Sequence, residues 1–424
     1  MLKAFLAVVA SVSLVLLSMS GPAVSEENPG LASVWAPLGP DGGDIQGLVR
    51  NPRSPNELYA ATESGFVYRS TNGGSSWTRT ANIGEELYDL VLDPKSPATV
   101  YVLGRNILFR STDKGAGFTP FPIGSYWRPG WDGRMAVDPS NPRIIYIAGS
   151  SDNQKDLVVL KSVDGGQTWT LKTLGGGYTA FARGIAVSPK NPSALYVCGY
   201  YFDNNYNGRA LIFVSTNAGA SWRKITPGNL GANNLALGLA IDPRNPARIF
   251  VATSFGVIRS ENSGLTWRAQ TSPSTIYPEC LALDQARHNV LYAGGNRVCY
   301  KSVDGGITWS EVAGGLLGIA SRILASGNTI HLGSSAGIFK SVNGGLSFVK
   351  SQAGIKAFPV SNLSIPASAS SATIYAAAQN YGVFRTTNRG GSWAKLASLP
   401  TNVDVSDLVA SNRDPKRVYI STYG

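Results

Sequence analysis

One short turn recurs eight times along this chain, and no other feature limits its fold as tightly. The first copy is Ser70-Thr71-Asn72-Gly73-Gly74-Ser75-Ser76-Trp77, and others start at Ser111, Ser162, Ser215, Ser260, Ser302, Ser341 and Thr386. The pattern is Ser-x-Asp/Asn-x-Gly-x-Ser/Thr-Trp, with Phe118 and Phe348 replacing Trp and Gly117 replacing the hydroxyl residue. Each residue type suits a tight turn. An Asp or Asn side chain accepts local backbone N–H groups, and Gly takes positive φ without steric cost. The Ser hydroxyl ties the loop, and the ring packs between neighbouring sheets. A calcium loop needs more carboxylates than this, so the turn reads as structural.

A second motif precedes each turn. Val91-Leu92-Asp93-Pro94-Lys95-Ser96-Pro97 leads to Val100-Tyr101-Val102, and Asp138-Pro139, Ser188-Pro189 and Asp242-Pro243 lead likewise to Tyr146, Tyr196 and Phe250. Each unit therefore reads as strand A, an Asp-Pro turn, strand B carrying Tyr, a loop, strand C, the repeated turn, then strand D from the Trp. No 3.6-residue period follows the first 25 residues. The predicted class is all-β, a β-propeller of four-stranded antiparallel blades. Hydrophobic residues at 43% supply a large core, and 48 Gly fit the many turns. Three Cys cannot staple 424 residues, and two His argue against a multi-histidine metal site.

These repeats resemble the Asp-box (BNR) propellers, and the match covers 34–424. That group includes sialidases, xyloglucanases, the sortilin luminal domain and photosystem II assembly factors, so the resemblance implies a fold more strongly than an activity. At the start, Val34-Trp35-Ala36-Pro37-Leu38 reads as a lone strand D. At the end, Asp407-Leu408-Val409-Ala410 and Arg417-Val418-Tyr419-Ile420 read as strands A and B of a ninth unit. The expectation is eight full units plus an incomplete ninth shared between the termini, which would remove exposed edges. The stop inside a repeat suggests a truncated chain.

Residues 1–25 read as a secretory signal peptide. Lys3 precedes the apolar run Ala4 to Leu17, Gly21 and Pro22 break it, and Ala23-Val24-Ser25 offers a cleavage site after Ser25. Residues 26–33 form a linker, and the protein is expected to be secreted or periplasmic. The net charge is +11, but the Lys and Arg residues are scattered. They read as solvated surface, with no nucleic acid and no membrane span expected.

Antiparallel alternation puts the A–B turns and repeated turns on one face, and the B–C and D–A loops on the other. The two longest intervals between repeated turns run from Ser111 to Ser215 and enlarge the loops of units two to four. Those loops hold Tyr126, Trp127, Trp131, Asp132 and Arg134, and then Tyr201, Asp203, Asn204, Asn205 and Tyr206. Further loops there hold Asp152 and the run Gly175, Gly176, Gly177, Tyr178, Phe181, Arg183. Rings beside amides, carboxylates and guanidinium groups suit a carbohydrate. The same rings also suit packing of the loops on themselves, and both readings stand at this point.

A glycosidase needs two placed carboxylates. Asp44, Glu63, Glu85, Glu86, Asp132, Asp152, Asp203 and Glu279 lie on the loop face, and the sequence picks no pair. The Phe/Tyr-Arg-Ile-Pro start of sialidases is absent, which argues against that activity. Xyloglucanases carry Arg-Thr-Asp-x-Gly-Gly in the first blade, with a catalytic Asp. The similar place here is Ala61-Thr62-Glu63-Ser64-Gly65, so the resemblance implies Glu63 as the catalytic residue. The family's other carboxylate belongs to a second propeller not present in this sequence. His288 falls in an A–B turn, and His331 stands where other units have the strand-B Tyr. Cys198, Cys280 and Cys299 are expected buried and unpaired, because strand B separates Cys280 from Cys299 by two ladder spacings. No phosphate loop, zinc spacing or nucleotide fingerprint occurs, so no cofactor and no metal are expected. The leading expectation is a secreted binding module for a glycan or partner protein on the loop face of units two to four. A xyloglucanase-like polysaccharide hydrolase and a protein-assembly factor are the alternatives.

Overall fold

The computed structural model describes most residues between 42 and 423; residues 1–41 and short segments, among them 125–126, 129–132, 226–229, 270–276 and 365–372, lie outside the described set. Described secondary structure consists of strands and turns, and no described helix is long and apolar enough to cross a membrane. The leader, the linker and the lone strand expected at 34–38 fall outside the described residues.

The strands assemble into consecutive antiparallel sheets in A-B-C-D order. Blade 1 holds Ile45–Arg50, Leu58–Thr62, Phe66–Ser70 and Thr78–Asn82. Blade 2 runs from Leu87–Leu92 to Thr119–Pro122, and blade 3 from Arg134–Val137 to Thr170–Gly176. Blade 4 runs from Thr179–Val187 to Arg223–Ile225, and blade 5 from Ala236–Ile241 to Arg268–Ala269. Blade 6 runs from Cys280–Leu283 to Ser310–Ala313, and blade 7 from Ala320–Ser326 to Val349–Lys350. Burial follows position. Strand B of blade 1 is buried at every residue, being flanked by sheets on both faces, whereas its strand D is mostly exposed. This explains why strand B is rich in Leu, Ile, Val, Tyr and Ala rather than alternating in polarity.

The repeated turn works as its residue types predict. In blade 1, Ser70 Oγ donates to Asn72 Oδ1 (2.9 Å), while Gly74 N donates to Ser70 Oγ and Ser76 N to Asn72 Oδ1 (2.9 Å each). Gly73 N donates to Asn56 O in the A–B turn of the same blade (2.9 Å). The equivalent bond recurs from Gly165 to Arg143, Ala218 to Ser193, Gly305 to Asn289 and Gly344 to Asn328. Turns and A–B loops therefore share one face, leaving B–C and D–A loops on the other.

The same turns also join one blade to the next. The strand-B Tyr146 hydroxyl of blade 3 donates to Ala218 O in the blade 4 turn (3.2 Å). Tyr196 of blade 4 reaches Ser263 O of blade 5, and Tyr292 of blade 6 reaches Gly344 O of blade 7. Blade 7 has His331 at this place, and its Nε2 lies 2.9 Å from Gly73 O of blade 1. A strand-C cation repeats the pattern, from Lys161 Nζ to Ala218 O (2.7 Å) and Lys301 Nζ to Gly344 O (3.2 Å), then from Lys340 Nζ to Gly73 O (2.6 Å). Blade 7 thus meets blade 1 through the chemistry that joins blades 3 to 4, 4 to 5 and 6 to 7.

That contact corrects the expected closure by a ninth unit shared between the termini. Blade 1 already has four strands of its own, and its partner in the ring is the seventh sheet. Trp77 Nε1 of blade 1 donates to Ser351 O (2.7 Å), and Ser321 Oγ of blade 7 donates to Ile45 O. The chain leaving blade 7 returns beside its own entry, where Gly42-Gly43 pairs in parallel with Lys356-Ala357. The next sheet, Val360–Ser364 to Ala394–Ala397, packs on the following strand pair Asp404–Ala410 and Val418–Tyr423, while its Ala376 and Phe384 join the core of blades 6 and 7.

Candidate active site

Strand A of most blades carries a bulge at one height near the loop face. The register shifts between Ile45 and Gly47, Leu87 and Asp89, Ala182 and Gly184, Ala236 and Gly238, and Ala320 and Arg322. A bulge redirects side chains at a sheet edge. Here it turns them toward the axis, because the resulting ion pairs skip a blade. Arg322 of blade 7 meets Asp89 of blade 2 (2.8 Å), and Arg183 of blade 4 meets Glu279 of blade 6 (2.8 Å). Met135 N donates to Asp89 Oδ2 (2.8 Å), and Arg134 Nη1 donates to Gly133 O (3.0 Å) and Tyr88 O (3.4 Å). Paired charges thus stand at the inner strand ends, Glu279 among them, while Arg134 is held there by backbone carbonyls.

The loop edge of blade 1 is different. Asp44 leads into strand A and Glu63 follows strand B, with Glu63 N donating to Asp44 O (2.9 Å). The adjoining pair Ile45–Thr62 fixes both ends in one ladder. Gly65 makes the turn at φ +93°, where a Cβ would meet Glu85 O of the next blade at 2.7 Å. Leu87 N of blade 2 then donates to Glu63 O (3.2 Å). Glu63 is exposed while Asp44 is half-buried, and their carboxyls are near enough to act on each other's proton. Gln46 Nε2 lies 3.3 Å from Asp44 Oδ1. Burial, then the Glu63 charge and the shared hydrogen bond, push the Asp44 carboxyl up to about 7 against the opposing Gln46 bond. Burial and the Glu86 charge raise Glu63, and its bond to Asp44 opposes them. Glu86 itself takes the Tyr88 hydroxyl (2.9 Å) and lies 3.8 Å from Arg105.

Of the eight carboxylates named from sequence, the fold brings Asp44 and Glu63 into contact. Carboxyls that interact directly are closer than the roughly 5–9.5 Å that flank a glycosidic bond. They therefore act as one unit on one side of a substrate. Asp203 holds its own loop together. It accepts N–H bonds from Asn205 (3.0 Å) and Asn207 (2.9 Å) and lies 3.4 Å from Arg209, and the Asn207 N–H leads in holding it below the ordinary carboxylate range. Asp152 is exposed, and Asp132 lies outside the described residues.

The aromatic loops divide between packing and exposure. Tyr201 packs on the blade 3–4 core, with Lys224 over its ring at 5.6 Å. Phe181, Tyr200 and Phe202 stack on each other at 5.1–6.4 Å. Tyr178 and Tyr206 stay 52% and 58% exposed and meet edge-on at 5.8 Å. Tyr206 holds φ 59°, and its N–H donates to Asp203 O (2.9 Å). Asn204 and Asn205 are exposed beside it. Backbone pairing puts Trp127 opposite Ser151, while Tyr126 and Trp131 lie outside the described residues. Cys198, Cys280 and Cys299 are buried and free, with Gly294 of strand B between the last two. No cluster of three or more His, Cys, Asp or Glu suited to a metal occurs among the described residues.

No protein-family model matches the chain. Among curated proteins, a xyloglucanase of Hypocrea jecorina is 26% identical over 332 residues, covering 65% of this chain and 39% of that protein. Xyloglucanase Xgh74A of Acetivibrio thermocellus is 26% identical over 280 residues, 53% of this chain and 32% of its own. The probable oligoxyloglucan-reducing end-specific xyloglucanase of Neosartorya fischeri is 29% identical over 211 residues, 43% of this chain and 24% of its own. The chain thus spans less than half the length of these relatives. Among solved structures, an ancestral GH74 enzyme superposes with TM-score 0.66 at 17% identity, covering 89% of this chain and 58% of that one. YCF48 bound to D1 peptide gives 0.52 at 15% identity, over 73% of this chain and 98% of that one. These structures establish the propeller fold. The reading of the chain as a non-catalytic binding module is overturned, because the curated relatives carry the names of hydrolases.

Proposed function

We propose that this chain is a glycoside hydrolase of the xyloglucanase type, acting on a polysaccharide with Glu63 as its working carboxylate. The observation that carries this reading is the Asp44–Glu63 pair, standing where blade 1 opens onto the loop face. The names of the curated relatives support the same substrate class. In this reading Glu63 takes a proton from the water that attacks the anomeric carbon, and a second acid protonates the leaving oxygen from across the bond. The pair supplies one side of that arrangement only, since its two carboxyls are in contact. The finer placement in the Asp-box group and export after cleavage at Ser25 belong to this proposal. So do sugar contacts by the loop residues Tyr126, Trp127, Trp131, Asp132, Asn204, Asn205 and Tyr206, whereas Arg134, Tyr201 and Asp203 are already held by packing and hydrogen bonds within the fold. The test is reducing-end release from xyloglucan by the purified full chain, compared with Glu63→Gln.

A further inference from the structure

We infer that Asp44 is a positioning residue that keeps a proton on the rear of the Glu63 carboxylate and so presents Glu63 to substrate as an oriented anion. The inference rests on Glu63 being the working carboxylate. Its first support is position. The two residues sit at adjoining strand ends, held by the Glu63 N to Asp44 O bond (2.9 Å) and the neighbouring Ile45–Thr62 pair, so both side chains leave adjoining backbone positions on one edge. Its second support is layering, since Asp44 is half-buried and Glu63 exposed. A proton donated from behind leaves the front lone pair of Glu63 open to water.

Its third support is the lack of a counter-ion. No ion pair reaches Asp44 or Glu63 among the described residues. From blade 2, Glu85 and Glu86 stand on the same edge, with Arg105 at 3.8 Å from Glu86. Arg322 of blade 7 is taken by Asp89. Two touching carboxylates without a cation hold one proton between them. The proton rests on the more buried partner, because desolvation penalises the charged form more there. Asp44 accordingly ionises near neutrality rather than in the ordinary range. Above that point Glu63 loses its donor and gains a repelling neighbour.

The test combines an infrared titration with a rate profile. With 13C-labelled Asp carboxyls, the wild-type chain is expected to show one protonated-carboxyl band persisting to near neutral pH. That band is absent in Asp44→Asn and moves to lower pH by about a unit or more in Glu63→Gln, once the neighbouring charge is gone. For polysaccharide cleavage, Asp44→Asn donates an amide hydrogen bond at every pH and extends kcat/KM to higher pH, whereas Asp44→Ala is slowed throughout. Circular dichroism confirms that each variant folds. A wild-type band that disappears in the ordinary Asp range, or one indifferent to Glu63→Gln, overturns the inference. If Glu63→Gln cleaves like wild type, the hydrolase assignment of Glu63 fails, while the infrared result still decides the proton sharing.

Discussion

Closure between blades 7 and 1 predicts a specific acid sensitivity. His331 is 1% exposed, its Nε2 faces Gly73 O at 2.9 Å, and its Nδ1 faces Arg50 Nη2 at 3.3 Å. This geometry fits the neutral ring, with Nε2–H donating to the carbonyl and Nδ1 accepting from Arg50. Burial first, then the Arg50 and Lys340 charges, lower its pKa to about 4, against the opposing Gly73 bond. The unfolded chain takes the proton near 6.5. The folded state therefore binds fewer protons between these values, and stability falls as pH drops from 6.5 to 4, then levels off. At about 1.4 kcal/mol per unit, the whole window is worth about 3 kcal/mol. The variant His331→Tyr installs the residue that other blades use at this place and cannot titrate there. Urea denaturation of both proteins from pH 7.5 to pH 4 isolates the histidine, because every shared carboxylate cancels in the difference. Wild type is expected to lose about 3 kcal/mol relative to the variant across the window. Parallel curves would refute the reasoning, since His331 would then not be held neutral at the closure.

Two other substitutions probe the scaffold and the loop face. Gly166→Ala puts a Cβ 2.5 Å from Leu108 Cδ2 of blade 2 at φ +96°, so we expect a loss of about 1–3 kcal/mol in chemical denaturation. Tyr178→Ala and Tyr206→Ala each remove an exposed ring and are expected to weaken xyloglucan binding by about 2- to 10-fold in isothermal titration, with unfolding midpoints unchanged.

What the sequence reveals is local. The repeated turn is legible because Ser70, Asn72 and Gly74 satisfy one another within five residues. Strand B is legible because its Tyr recurs at a fixed place. Closure is less legible, because the contact between blades 7 and 1 uses the same turn carbonyl as the contacts between blades 3 and 4, 4 and 5, and 6 and 7. Only His331, standing where a Tyr is usual, marks it. The carboxyl pair was hidden for another reason. Asp44 and Glu63 are 19 residues apart in a chain with many loop-face acids, and only the A–B ladder brings these two together. The aromatic loops were half legible, since composition does not say which rings pack, as Tyr201 does, and which stay open, as Tyr206 does.

The central claim is tested most directly by incubating the full chain with xyloglucan and measuring new reducing ends. The account predicts release by wild type and a loss of about 100-fold or more in Glu63→Gln with the fold intact. Equal release by both proteins, or none by wild type under conditions where it is folded, would contradict it.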